Sequence, residues 1–273
     1  MLELEHITKR FGGLPAVEDL SFRVREGEVL GMIGPNGAGK STAISLIGGA
    51  LAPTAGIVRF QGRDITRLAP HQRAQLGIAR TFQVTQPFAQ LDIRENVIVG
   101  ALFGGHARGR PEAARRADAV LERVGLARKA RLKGDELTVA DRKRLEMARA
   151  LATNPRLLLL DEVMAGLTPR EVGEAVELIR AINQSGVTVL VVEHVMRAIT
   201  GVSDRILVLH HGRKIAEDAP DAVLSDPSVI EAYLGERFAR RRAEQAQQAQ
   251  HAGEAAGAAE PPAADDAWKE GLA

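Results

Sequence analysis

The sequence contains no cysteine and no hydrophobic run long enough to cross a membrane. The absence of cysteine excludes a disulfide framework and a thiolate zinc site. The apolar runs Leu157–Leu160 and Val187–Val192 are far shorter than the roughly 20 residues that a membrane-spanning helix needs. Any role at a membrane must therefore come through a partner.

A signal peptide is also missing, because the amino terminus has no basic segment followed by an apolar one. Residues Met1–Ile7 alternate charged and apolar side chains instead. We therefore expect a soluble, cytoplasmic protein.

The sequence lacks an excess of charge of either sign. There are 36 Lys and Arg residues and 35 Asp and Glu residues, so the formal net charge is +1. Surfaces that bind nucleic acid are usually strongly basic, so the composition gives no support to nucleic acid as the partner. With 273 residues and 45% hydrophobic side chains, the chain can bury the core of one large domain or two small ones.

Short apolar runs and amphipathic segments follow one another along the chain, and no internal repeat is visible. The continuous Val and Leu residues near position 190 indicate a strand of a parallel sheet that is covered on both faces. The predicted strands are Leu2–Ile7, Leu20–Val24, Val29–Ile33, Ile57–Phe60, Ile78–Phe82, Leu157–Leu160, Val187–Val192 and Ile206–Leu209. The predicted helices are Ser41–Ile47, His71–Leu76, Asp92–Leu102, Glu112–Val124, Ala140–Ala152, Pro169–Gln184, Ala222–Leu224 and Val229–Leu234. Asp92 is the predicted N-cap of the third of these helices.

The composition changes twice along the chain. Residues from about 84 to 155 contain several amphipathic helical segments, and we expect a helical subdomain there. Beyond residue 236 the chain is rich in Arg, Gln, Ala, Glu and Pro, with almost no large apolar residue until Trp268. We therefore expect a folded domain over residues 1–236 and a disordered C-terminal tail over residues 237–273. The basic residues of the tail favour either solubility or docking to lipids or a partner.

The glycine-rich stretch from position 34 to 42 satisfies the phosphate-loop pattern G-x-x-x-x-G-K-[ST]. Its glycines let consecutive backbone N–H groups point at a triphosphate, Lys40 neutralises phosphate oxygens and Ser41 offers its hydroxyl to Mg²⁺. The apolar run before it and the helix after it supply the order of strand, loop and helix that the motif requires. The predicted nucleotide contacts are Gly34, Pro35, Asn36, Gly37, Ala38, Gly39, Lys40, Ser41 and Thr42.

Two adjacent carboxylates, Asp161 and Glu162, follow the apolar run that begins at Leu157. At the end of a strand their side chains point in different directions. Asp161 can hold Mg²⁺ through water beside Ser41, which leaves Glu162 to orient and polarise an attacking water. This division favours a hydrolase over a kinase, because the nucleophile is water. The alternative is that both carboxylates simply cap the junction of strand and loop.

These motifs, together with four others in a fixed order, resemble the ATP-binding subunits of ABC transporters over residues 2 to about 235. The others are Phe11 before the phosphate loop, Gln83 after it, Leu137–Glu146 ahead of Asp161, and His194 after the next strand. The resemblance implies an α/β fold, namely a P-loop NTPase core of the ABC ATPase type with an antiparallel β subdomain and a helical subdomain. It also implies an ATPase whose hydrolysis of ATP is coupled to transport across a membrane.

The resemblance also implies roles for single residues. Phe11 stacks on adenine, which favours ATP over GTP, and Val17 belongs to the same nucleotide site. Gln83 lies in the loop that links this site to the transmembrane partner, and it joins Ser41 and Asp161 as a metal ligand. The catalytic residues that follow are Glu162, Lys40 and His194, the last as the switch histidine that contacts the γ-phosphate.

The main departure from the family lies in its signature segment. Where the family has Leu-Ser-Gly-Gly-Gln, residues 137–141 of this chain read Leu-Thr-Val-Ala-Asp. The Thr hydroxyl predicts a capped helix N-terminus that can still be presented to a phosphate of the neighbouring subunit. The loss of both glycines adds two Cβ atoms, and the Asp places a negative charge nearby. We assign Thr138, Val139, Ala140 and Asp141 to the neighbour's ATP site, which is either tolerant of these changes or the less active of two sites.

Within the family, five further segments look like the ATPases of branched-chain amino acid importers. They are Lys9–Val17, Ala79–Gln83, Glu95–Val97, Arg144–Arg149 and Val192–Met196. Similar ATPases serve urea, other amino acids or amides, and lipopolysaccharide export, so these solutes remain alternatives. An ABC-type ATPase that acts on nucleic acid or ribosomes is the alternative from another class, and the balanced charge argues against nucleic acid.

The partners that the resemblance implies are integral-membrane permease subunits, a solute-binding protein that acts through the permease, and a second ATPase subunit. We expect a heterodimer of ATPases, with a homodimer as the alternative. The permease would hold the chain peripherally on the inner face of the cell membrane.

Overall fold

The computed structural model describes residues 1–81, 87–104 and 107–233, and its strands form two sheets. The strands are β1 (Leu2–Phe11), β2 (Leu14–Val24), β3 (Val29–Ile33), β4 (Ala55–Phe60), β5 (Arg63–Asp64), β6 (Ile78–Arg80), β7 (Leu157–Asp161), β8 (Thr188–Val192), β9 (Arg205–His210) and β10 (Arg213–Asp218). The α-helices are α1 (Lys40–Gly48), α2 (Pro70–Gln75), α3 (Ile93–Phe103), α4 (Arg110–Arg123), α5 (Val139–Ala152), α6 (Pro169–Gln184), α7 (Met196–Val202) and α8 (Pro220–Ser225).

The larger sheet has the strand order β10-β9-β3-β8-β7-β6. Its strands run parallel, except that β10 pairs antiparallel with β9. Every residue of β3, β7 and β8 is buried, as expected for parallel strands that are covered on both faces. The predicted α/β core is therefore confirmed, and the carboxyl ends of its parallel strands share one edge of the sheet.

The smaller sheet is antiparallel, with the strand order β2-β1-β4-β5. The strands β1 and β2 are longer than the sequence predicted, because they extend to Phe11 and back to Leu14, which lie opposite each other. Both of these residues are exposed. Their strand conformation follows from pairing between the two strands and not from apolar content. The apolar pattern of the sequence therefore did not predict this part of β1 and β2.

Side-chain caps fix the starts of three helices. The Asp92 carboxylate accepts the Glu95 N–H at 2.7 Å before α3, and the Thr138 hydroxyl accepts the Asp141 N–H at 3.2 Å before α5. Both caps were predicted from the sequence, and both are confirmed. At α6 the hydroxyl of Thr168 plays the same part.

The C-terminal end of α1 is held by Arg73, which is almost fully buried. Its Nη1 donates to the carbonyl oxygens of Leu46 at 2.6 Å and Ile47 at 2.7 Å. Burial lowers the pKa of Arg73, but a cation at a helix C-terminus also compensates the carbonyl dipoles there. Because α1 begins directly after the glycine-rich loop, this contact anchors the helix that carries the loop.

Residues Met1–Ala232 form one compact unit. The predicted helical subdomain, residues 84–155, contains α3, α4 and α5. The predicted tail, residues 237–273, lies outside the described residues. Within the described ranges, no helix combines the length and the apolar character that crossing a membrane requires.

Candidate nucleotide site

Three neighbouring parallel strands end at one edge of the sheet, and the predicted chemical groups follow them. The glycine-rich loop follows β3, Asp161 ends β7, and Glu193 and His194 follow β8. Val192, at the end of β8, lies opposite Met32 on one side and Asp161 on the other. Motifs that are far apart in the sequence therefore meet at the carboxyl ends of the strands, where open α/β sheets bind ligands.

Two glycines of the loop are required by backbone geometry. Gly34 has a φ of +152° and Gly39 a φ of +100°, values that L-amino acids rarely adopt. A Cβ on Gly34 would overlap the carbonyl oxygen of Leu209, and one on Gly39 would overlap that of Ala16. The loop is thus packed directly against the backbone of its neighbours.

Lys40 is the first residue of α1, and its side chain folds back over the loop. Its Nζ donates to the carbonyl oxygens of Gly34 at 2.5 Å and of Pro35 at 2.9 Å, and the residue is buried. A cation and the positive end of the α1 dipole therefore lie at the same place. This combination suits an anion such as a phosphate.

The carboxylate of Asp161 is buried, and within the described ranges only one of its two oxygens accepts a hydrogen bond. Its Oδ2 accepts from Arg80 Nη2 at 3.0 Å, and Arg80 Nη1 donates to Ser45 on α1 at 3.1 Å. Ser45 Oγ donates in turn to the carbonyl oxygen of Ser41 at 2.7 Å. Nothing in the described part of the chain hydrogen-bonds the buried Oδ1 of Asp161. A buried carboxylate oxygen without a donor fits a water molecule bound to a metal ion.

Glu162 adopts an uncommon backbone conformation, with a φ of +50°. Its N–H donates to the carbonyl oxygen of Val192 at 2.9 Å, and its own carbonyl oxygen accepts from Lys143 Nζ at 3.1 Å. These contacts hold a non-glycine residue in the left-handed region, which costs on the order of 1 kcal/mol. The turn directs the chain away from β7 immediately after Asp161.

The structure adds a buried carboxyl group that the sequence analysis did not single out. Glu193 is fully buried between β8 and His194, and its Oε1 accepts the Met164 N–H at 2.7 Å. The pKa of Glu193 is raised to about 7, chiefly by burial and also by the Glu162 carboxylate, although hydrogen bonds from the backbone N–H groups of Met164 and His194, and the charge of the Lys143 ammonium, act in the opposite direction. A charged residue after an apolar strand was the available signal, but its partner is 29 residues away.

We expect Glu193 to make the folded state less stable as the pH rises from about 4.5 to about 7. The pKa of its carboxyl group is 4.5 ordinarily and about 7 in the folded protein, so the folded state keeps a proton that the unfolded chain has lost in this window. The stabilising contribution of Glu193 should fall by up to about 3 kcal/mol across the window and stay constant above it. Urea unfolding of the wild type and of Glu193→Gln should show the variant gaining relative stability with pH.

Glu171→Gln is the control for this measurement. Backbone and side-chain hydrogen bonds from Thr168 lower the pKa of Glu171, so its contribution is present above its ordinary pKa and is lost only in more acidic solution. Its stability difference from the wild type should stay constant between about pH 5 and pH 8. If the difference in unfolding free energy between the wild type and Glu193→Gln does not depend on pH, the raised pKa of Glu193 is wrong.

The other predicted contacts lie in different surroundings. His194 is exposed between β8 and α7, and Phe11 is half exposed at the end of β1, with Lys9 Nζ 5.2 Å from the centre of its ring. Val17 is fully buried beside Gly39, so it supports the loop from behind. Gln83 lies outside the described residues.

Comparison with known proteins decides the family. Residues 17–165 match the family described as ABC transporter, and residues 213–239 match the family described as Branched-chain amino acid ATP-binding cassette transporter. The chain belongs to the ABC transporter family. The phosphate loop, Asp161 and Glu162 all lie within the first match.

Individual relatives of this ABC protein agree with the assignment. It is 39% identical over 250 residues to the high-affinity branched-chain amino acid transport ATP-binding protein LivG of Salmonella typhimurium, a match that covers 86% of this chain and 98% of LivG. It is 35% identical over 238 residues to the lipopolysaccharide export system ATP-binding protein LptB of Acidithiobacillus ferridurans, covering 87% and 98%. The crystal structure of the ADP conformation of an ATP-binding cassette matches with a TM-score of 0.80 and 34% identity, covering 86% and 98%.

The predictions of fold and activity class are therefore confirmed. The chain has the fold of an ABC ATPase cassette, and it is an ATP-binding and ATP-hydrolysing subunit of a transporter. The roles of single residues in this ABC cassette remain predictions.

The negative charge in the signature segment of this ABC cassette is part of an ion pair. Asp141 is buried, and its Oδ2 accepts from Lys129 Nζ at 2.5 Å and from the Thr138 hydroxyl at 2.9 Å. Burial opposes ionisation, but the hydrogen bonds from Lys129 and Thr138 outweigh it and lower the pKa of Asp141. Lys129 belongs to a short 3-10 helix, Ala127–Lys129. The sequence indicated the charge of Asp141 but not its partner.

Proposed function

We propose that this chain is the ATP-hydrolysing subunit of an importer of branched-chain amino acids. The observation that carries the proposal is the match of residues 213–239 to a family described by that solute, alongside the similarity to LivG over nearly the whole of LivG. The chain would lie on the inner face of the membrane, held there by permease subunits. Solute selectivity would then reside in the permease and in a binding protein outside this chain.

In this proposal ATP lies on the glycine-rich loop, with Gly34–Thr42 around its phosphates. The buried ammonium of Lys40 and the start of α1 support a triphosphate there. Phe11 contributes an exposed aromatic face for adenine, while Val17 keeps the loop in place from within the core.

Mg²⁺ is the metal that we propose, held by Ser41, by Gln83 and, through water, by Asp161. Bound there, it would neutralise charge on the β- and γ-phosphate oxygens. Support comes from the unpartnered Oδ1 of Asp161 and from the link through Arg80 to α1. No group of three or more His, Asp or Glu side chains in the described part of the chain can hold a metal. Mg²⁺ needs no such cage, because it retains waters and binds substrate phosphates.

For the chemical step we propose that Glu162 accepts a proton from the attacking water while Lys40 and His194 contact the transferred phosphate. Glu162 is suited to this because its backbone is fixed by Val192 and Lys143 while it follows the strand that ends at Asp161. His194 is suited to it because it is exposed at the end of the neighbouring strand β8. Phosphoryl transfer depends mainly on such positioning and on electrostatic stabilisation.

We also propose that the second half of each ATP site comes from another ATPase subunit, through its signature segment. The corresponding segment of this chain is Thr138–Asp141, at the start of α5. Closure on ATP and reopening after hydrolysis would drive a rigid-body change of the permease. We expect the partner to be a different ATPase, and the homodimer remains the alternative.

Transport by the reconstituted complex tests the proposal. The chain would be co-expressed with candidate permease subunits, a second ATPase and a binding protein, and the complex placed in liposomes. ATP inside the liposomes should drive uptake of radiolabelled leucine, and excess isoleucine or valine should compete while urea should not. Uptake of urea instead, or ATP hydrolysis stimulated by lipopolysaccharide and not by leucine, would contradict the assignment of solute. LptB is the reason for including the second arm.

A further inference from the structure

The signature segment poses an electrostatic problem that the structure resolves within this chain. Asp141 is the one acidic residue in the first turn of α5, where the proposed function brings a phosphate of the partner's ATP. A carboxylate beside a phosphate repels it, and at a separation of about 6 Å this repulsion is worth a factor of ten or more in affinity near a protein surface. The chain therefore needs something that offsets the charge.

Lys129 is placed to offset it. Its Nζ lies 2.5 Å from Oδ2 of Asp141, and the Thr138 hydroxyl donates to the same oxygen at 2.9 Å. The Lys129 side chain is 44% exposed, whereas that of Asp141 is 6% exposed. The pair thus turns the carboxylate inward and leaves the cation at the surface. The opposite arrangement, with the carboxylate exposed, would present negative charge to an incoming phosphate.

We propose that Lys129 is a positioning residue that makes this acidic signature able to accept the ATP of a neighbouring subunit. It acts through Asp141 by neutralising its charge and holding its carboxylate beside the Thr138 cap. The inference rests on the proposed function, because it needs a neighbour's ATP at the start of α5. It goes further in one respect: the glutamine of the family's signature is replaced here by Asp141, which forms an ion pair with a residue outside the signature.

The other charges near Asp141 do not perform this task. Arg144 lies on the same helix and favours the ionised carboxylate, but it is paired with Glu174 at 2.5 Å. Glu171, at the start of α6, is also close enough to interact with Asp141, and its charge is negative. Lys129 is therefore the cation that compensates Asp141 directly.

The Lys129–Asp141 pair could act by neutralising charge, or it could only attach the 3-10 helix to α5. These two roles predict different results for a set of four proteins. These are the wild type, Lys129→Met, Asp141→Asn and the double variant Lys129→Met/Asp141→Asn. Association with the second ATPase subunit would be measured by sedimentation with the slowly hydrolysed analogue ATPγS and without nucleotide. Thermal unfolding of each variant would be recorded in parallel, and Arg128→Met, which changes the exposed neighbouring cation, is the matched control.

We expect Lys129→Met to weaken association driven by ATPγS about tenfold, because it leaves Asp141 uncompensated. The double variant should return to within about twofold of the wild type, since it has lost the bond but also the charge. The defect of Lys129→Met should shrink in about 0.5 M salt, which a loss of packing would not do. Arg128→Met should behave as the wild type.

Two results would overturn the inference. One is that Lys129→Met associates as strongly as the wild type. The other is that the double variant associates as weakly as Lys129→Met, which would mean that the ion pair has only a structural role. Failure of the proposed function looks different. In that case the wild type itself shows no association that depends on ATPγS, and the inference falls together with it.

Discussion

Replacing Glu162 by glutamine should lower the rate of ATP hydrolysis by about 100- to 1000-fold while leaving ATP affinity within about threefold of the wild type. Glutamine has the same shape as glutamate but cannot take a proton from water. Two contacts that fix residue 162 are made by its backbone, with Val192 and Lys143, so the substitution leaves these two in place. Binding should therefore survive the loss of turnover, and the variant should accumulate with ATP bound.

The measurement is steady-state phosphate release by the assembled transporter, together with the binding of a fluorescent ATP analogue to the isolated chain. Glu177→Gln is a suitable control, because Glu177 is an exposed carboxylate on α6 that pairs only with its helix neighbour Arg180 among the described contacts. Turnover by Glu162→Gln that stays within threefold of the wild type would exclude Glu162 as the general base. Loss of ATP binding would mean that the side chain serves the site in another way.

The parts of the site that the sequence predicted are those encoded locally. The glycine-rich loop, the Asp161–Glu162 pair and the caps at Asp92 and Thr138 each consist of residues a few positions apart, so their spacing contains the information. The parallel strands were predicted for a related reason. A strand buried on both faces has to be a nearly continuous apolar run, and β3, β7 and β8 are such runs.

The contacts that were not predicted depend on tertiary structure. Glu193 follows β8 and contacts Met164, which follows the neighbouring strand β7. Lys129 contacts Asp141 from a different helical segment. In both cases a single charged residue in the sequence is compatible with a solvated surface position. Only the fold shows that one carboxyl is buried with its pKa raised and that the other is paired with its pKa lowered.

Gly39→Ala should lower the free energy of unfolding by more than about 3 kcal/mol and weaken ATP binding by about 100-fold. Two costs add at this position. The backbone has a φ of +100°, which costs an alanine about 1–2 kcal/mol, and the new Cβ would overlap the carbonyl oxygen of Ala16. The loop cannot shift to make room, because Gly212 donates its N–H to Ala38 at 3.0 Å and accepts from Glu18 at 2.9 Å.

Gly37→Ala separates these two costs. Gly37 lies two residues earlier in the same loop with a φ of +79°, but a Cβ there meets no described protein atom within 4 Å. It should therefore lose about 1–2 kcal/mol of folding free energy and no more. Urea unfolding and binding of a fluorescent ATP analogue, measured on both variants and the wild type, give the comparison. Equal destabilisation by the two substitutions would show that backbone conformation alone requires glycine at position 39. A larger loss in Gly39→Ala would instead show that β2 and the turn between β9 and β10 hold the phosphate loop in its binding shape.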